Sequence, residues 1–101
     1  RRSILAGLTK DVIKNEYVVT TDARAKEVRK FVDKMITYGK DGSLVSRRKA
    51  LAFLQNDTVA VNKVFNELAK RYETRNGGYT RLVKLNERKG DDAMQIRIEL
   101  V

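Results

Sequence analysis

The chemistry available to this chain is almost wholly that of fixed positive charge. Twenty-two lysines and arginines stand against thirteen aspartates and glutamates, a formal charge of +9 on 101 residues. A guanidinium holds phosphate or carboxylate oxygens in a planar fork, and an ammonium acts as a mobile point charge. There is no cysteine and no histidine. Disulfides, Cys/His metal sites, thiol nucleophiles and imidazole acid–base catalysis are excluded together. Carboxylates remain as possible magnesium ligands, and Asp91-Asp92 is the one adjacent acidic pair. In a glycine-containing loop such a pair reads as solvated turn residues. No metal, cofactor or small-molecule substrate is expected.

A compact chain with this charge repels itself until a polyanion neutralises it, which points to nucleic acid. No stretch approaches the roughly 20 apolar residues of a membrane span, so a membrane partner is not expected. The candidate phosphate contacts are Arg1 and Arg2, Arg24 and Lys26, Arg47 and Arg48, Arg75 and Arg81, and the loop pair Arg88-Lys89. Arg24, Lys26, Arg29, Lys30 and Lys34 share a helix and, taken by themselves, read equally well as solubilising charges. Arg47, Arg48 and Lys49 are consecutive, so a helix fans them around most of a turn and they cannot share one phosphate.

The elements that must carry these charges change type at Gly77-Gly78. Before that pair apolar residues recur at helical spacing; after it they alternate. Ile4, Leu5, Leu8, Val12 and Ile13 predict a first helix over about residues 3–15. Tyr17–Thr21 is β-branched and reads as a short strand. Thr21 or Asp22 caps a second helix to about Tyr38, with Ala25, Val28, Val32, Met35 and Ile36 inward and Phe31 beside them. Gly39 and Gly42 break it, and Ser43 caps a third helix over about residues 44–55 with Leu44, Leu51 and Leu54 inward. Asn56-Asp57 caps a fourth, about 58–72, with the stripe Val61, Val64, Phe65, Leu68 and Tyr72. Gly77 and Gly78 form a structural turn at positive φ. Strands at Tyr79–Asn86 and through Met94, Ile96, Ile98 and Leu100 then make an antiparallel hairpin. The expectation is a two-layer α/β (α+β) domain of order α-β-α-α-α-β-β, spanning residues 1–101 as one unit, with Tyr17–Thr21 joining the hairpin.

Asn76-Gly77-Gly78-Tyr79-Thr80-Arg81, with Phe65-Asn66-Glu67-Leu68-Ala69 and Arg71-Tyr72 ahead of it, resembles the bacterial-type large-subunit ribosomal protein seventeen family. Gly90-Asp91-Asp92-Ala93-Met94 running into Ile98-Glu99-Leu100-Val101 is similar to that family's closing strand. The run Arg29–Thr37 and the run Lys40–Leu44 look most like plastid and cyanobacterial members. The resemblance covers essentially the whole chain in order. It implies a non-enzymatic structural constituent of the large ribosomal subunit, bound to large-subunit (23S-type) rRNA and to neighbouring ribosomal proteins near the peptide exit. It implies a chloroplast ribosome first, with a bacterial or mitochondrial one open. Family members carry a basic extension ahead of the first helix, which this chain is expected to lack. Among the candidate contacts the family pattern favours Arg48, Arg75 and Arg81.

Two other readings share part of this inventory. A free-standing nucleic-acid-binding regulator would have the charge, but no recognition-helix, RNA-sheet or zinc-finger signature is visible. A carboxylate-metal nuclease would use Asp91, Asp92 and a distant acid such as Glu99.

Overall fold

A computed structural model describes residues 2–85 and 95–101, Arg2 by its backbone alone. The order of elements is α1 (Arg2–Asn15), β1 (Tyr17–Thr21), α2 (Asp22–Asp41), α3 (Leu44–Phe53) and α4 (Thr58–Lys63). From α4 the rod continues through a π-helical turn, Val64–Leu68, into a last α-helical turn, α5 (Ala69–Arg71). β2 (Thr80–Lys84) and β3 (Gln95–Leu100) complete the chain. The mixed helix-and-strand order is the expected one. All the strands pair antiparallel in the order β1-β3-β2, so the last strand to be made lies in the middle. Val18, Ile98 and Leu82 align across the sheet, as do Val19, Arg97 and Val83 in the opposite-facing row.

The helices cover one face of this sheet. Val12, Ile13, Val28, Val32, Met35, Ile36, Leu54, Val61, Val64, Leu68 and Ile98 are fully buried in a core that includes Tyr72 and Tyr79. The hydroxyl of Tyr72 donates to the carbonyl of Val101 at 2.7 Å, which ties α5 to the end of β3. Burying each large apolar side chain contributes roughly 1.5–3 kcal/mol, offset in part by lost rotamer freedom. Caps form where small polar residues precede helices: Ser43 accepts from the amide of Ser46, and Asp57 from that of Ala60.

Several local expectations need correction. Gly39 does not break α2; it is buried inside the helix, which runs on to Asp41 and closes at Gly42 with φ +71°. A side chain at Gly39 would collide with Val64, so the glycine serves helix crossing rather than termination. Thr21 occupies the N-cap of α2 but makes no capping bond with its side chain. Leu44 is 64% exposed at the first position of α3, where Ser46 rather than Leu44 turns inward, and Ile4 is 46% exposed near the start of α1. Leu51 and Phe65 are only partly buried against the core. Gly77 and Gly78 both adopt positive φ, +83° and +63°, as the turn requires. Asn86, Arg88, Lys89, Asp91, Asp92 and Met94 lie outside the described residues.

Candidate nucleic-acid interface

The cations divide by what surrounds them. On the α1–α4 side nearly every described one is engaged. Lys14 pairs with Asp57 at 2.7 Å, and Lys10 reaches Gln55 at 3.0 Å. Arg71 grips both oxygens of Glu16 at 2.9 and 2.8 Å and also reaches Glu67 at 2.8 Å. Lys63 joins the same carboxylate at 3.1 Å. The bond from Arg71, with Lys63 behind it, lowers the Glu16 carboxyl to about 2 against the penalty of partial burial. Glu16 sits at φ +72°, at the corner where α1 hands over to β1. These charges are structural: they tie residues more than 40 apart in the chain.

On α2 and α3 the pattern reverses. Arg24, Lys30 and Lys34 of α2 and Arg48 and Lys49 of α3 are exposed, and none forms an ion pair among the described residues. Lys26 is exposed as well, with only a long 3.7 Å contact to Asp22. The i, i+4 spacing of Lys26, Lys30 and Lys34 lines them along the side of α2 opposite Ala25, Val28 and Val32. Where the two helices pack, the rings of Phe31 and Phe53 stack with centroids 4.7 Å apart. They floor a shallow groove with Met35, Tyr38 and Ala52, and Lys34 and Lys49 stand on its rim. An aromatic floor between unpaired ammonium groups suits a nucleic acid, which offers phosphate and planar bases or ribose together.

The expected contact residues therefore fall in different places. Lys34 and Lys49 flank this groove, and Lys26, Lys30 and Arg48 are exposed on the same two helices, whereas Arg24 lines a separate cleft with Ile4 and Leu5 of α1. Arg47 turns the other way: it donates to Asn62 of α4 and lies over the Phe65 ring, 5.2 Å from its centre. Its neighbour in sequence is free to meet solvent; Arg47 clamps α3 to the α4 rod. Arg75 is exposed beyond α5, while its carbonyl accepts from Lys40 and from the Tyr79 hydroxyl. Arg81 is on the outer sheet face, bound to Glu99 at 2.7 Å. Arg1, Arg88 and Lys89, and the side chain of Arg2, lie outside what is described.

The nuclease reading loses its third acid. Glu99 is held between Arg81 and Arg97, whose bonds keep its carboxyl below the usual range. Among the described residues no three acidic side chains gather as a metal site.

Comparison with known proteins decides the lineage. The family model for ribosomal protein L17 matches residues 4–101. The chain belongs to the ribosomal protein L17 family. A relative from Ligilactobacillus salivarius, "Large ribosomal subunit protein bL17", is 52% identical over 114 residues, covering 100% of this chain and 90% of that protein. Relatives of the same description from Lactococcus lactis subsp. cremoris and Streptococcus gordonii are 51% and 50% identical, again over all of this chain. These L17 proteins are bacterial, so the expected chloroplast source is not supported.

Proposed function

We propose that this L17-family chain is a structural constituent of the large subunit of a bacterial-type ribosome and holds ribosomal RNA chiefly through its α2–α3 face. The supporting observation is a bias in charge pairing: Lys10, Lys14, Lys63 and Arg71 of α1, α4 and α5 are matched by protein groups. On α2 and α3, among the described residues, only Lys40 and Arg47 are so engaged, Lys26 has one long contact, and the other cations are left for a polyanion. Arg24, Lys26, Lys30, Lys34, Arg48 and Lys49 neutralise backbone phosphates, and Arg75 extends the contact past the end of α5. Arg1 and Arg2 add to it ahead of α1, and Arg88 and Lys89 from the β2–β3 connection. Recognition is by shape and backbone rather than base sequence, as folded RNA favours. The role is binding and scaffolding, not catalysis. By analogy with the family its place is the solvent side near the nascent-peptide exit, beside other ribosomal proteins.

Sucrose-gradient sedimentation of native ribosomes tests this reading. The chain is expected with large subunits at moderate salt and is released as a folded protein at high salt. Migration with chromosomal DNA, or at the top of the gradient at every salt concentration, would overturn it.

A further inference from the structure

The sheet has two edges, and they are built differently. β2 carries Arg81 and Lys84, both exposed, the kind of charge that natural edge strands use to repel another strand. β1 is Tyr-Val-Val-Thr-Thr, with no charge, no proline and no bulge in its five-residue register with β3. Among the described residues nothing but β3 hydrogen-bonds along β1 within the sheet. Tyr17 and Val19 point away from the helices and are 43% and 42% exposed. Such a strand is a template for another backbone, and its composition does nothing to prevent pairing.

The charge beside it selects the occupant. Arg97 belongs to β3, yet its guanidinium lies over the Tyr17 ring of β1, 4.1 Å from the ring centre. Its Nε donates to Glu99 at 2.7 Å, and Glu99 also binds Arg81. Two guanidinium groups thus share one carboxylate, which leaves a surplus positive charge within about one strand spacing of the open edge. An RNA backbone would satisfy that charge but not a row of alternating amides and carbonyls flanked by valine and tyrosine. A peptide strand satisfies both.

We infer that the free edge of β1 is a strand-addition site for an extended segment of a neighbouring protein in the large subunit, with apolar side chains against Tyr17 and Val19 and a carboxylate on Arg97. This rests on the ribosomal reading above, and the test separates the two. A photo-crosslinking benzoylphenylalanine is placed at Val19 in one preparation and at Lys34 in another, each in purified large subunits. The expected result is crosslinking from position 19 to one extended stretch of one ribosomal protein, and from position 34 to RNA. Val19→Lys, which puts an edge charge on β1, is expected to leave the free chain folded by circular dichroism. A crosslinker at Tyr17 in that variant should then lose its protein crosslink. RNA crosslinks from position 19, or none there while position 34 labels RNA, would overturn the strand-addition site alone. Absence of the chain from large subunits would overturn the ribosomal reading instead.

Discussion

A methyl group on Gly39 would stand 2.8 Å from Cγ1 of Val64 and 2.9 Å from the Val64 carbonyl oxygen. α2 and the α4 rod therefore touch backbone to backbone at this point, and the rod takes on π-helical geometry from Val64 onward. Gly39→Ala should destabilise the free protein. The steric cost, about 1–3 kcal/mol, exceeds the gain of about 1 kcal/mol in helix propensity. Urea unfolding checks it; an unchanged or raised midpoint would show that the crossing can relax.

Much of this architecture was legible from spacing. The stripes of α2 and of the α4 rod, the strand at Tyr17–Thr21 and the turn at Gly77-Gly78 each follow from local rules. That the strand joins the hairpin follows from its need for a partner, but its pairing with β3 rather than β2 had no local signal. Gly39 was misread because a glycine near a helix end usually terminates it, and nothing local reveals a second helix pressing on it. The same limit applied to the candidate site. Arg47 and Arg48 are indistinguishable by type and spacing; only the position of Asn62, fifteen residues on, separates a clamp from a free charge. The pairing of Arg71 with Glu16 spans 55 residues and has no local signature.

Arg47 and Arg48 should accordingly fail in different assays. Arg47→Ala is expected to cost about 1–2 kcal/mol of folding stability, from the lost hydrogen bond and the lost cation–π contact. Arg48→Ala should leave unfolding unchanged and reduce the salt slope of RNA binding by about 0.7–0.9 for one phosphate contact. Denaturation curves and salt titrations on the two variants check both halves. An unaltered slope for Arg48→Ala would remove it from the interface.

The carboxyl of Glu16, lowered from 4.5 to about 2 chiefly by Arg71, sets an acid limit. A depressed folded-state pKa contributes stability that is fully present above the unfolded value and disappears as pH falls through the folded one. The contribution should therefore fade between pH 4.5 and about 2. Partial exposure screens it, so its size is small. The difference in melting temperature between the native chain and Glu16→Gln should shrink across that window. A constant difference would mean that the pair is not coupled to protonation.

Gly78 has no atom near its missing Cβ, so space is not what it supplies. Its φ of +63° is the constraint. Gly78→Val is expected to lose roughly 1–3 kcal/mol through backbone strain before any RNA is present. Thermal melting of the purified variant measures this, and unchanged melting would contradict it.

The central claim, that α2 and α3 form the polyanion face and the α1–α4 side does not, is tested most directly by lysine footprinting. Free protein and intact large subunits are acetylated in parallel, and the modification of each lysine is read by mass spectrometry. Lys30, Lys34 and Lys49 should react in the free chain and be protected in the subunit, while Lys10 and Lys14 should change little. Protection of Lys10 and Lys14 with continued reactivity of Lys30, Lys34 and Lys49 would put the RNA on the opposite side and contradict the account.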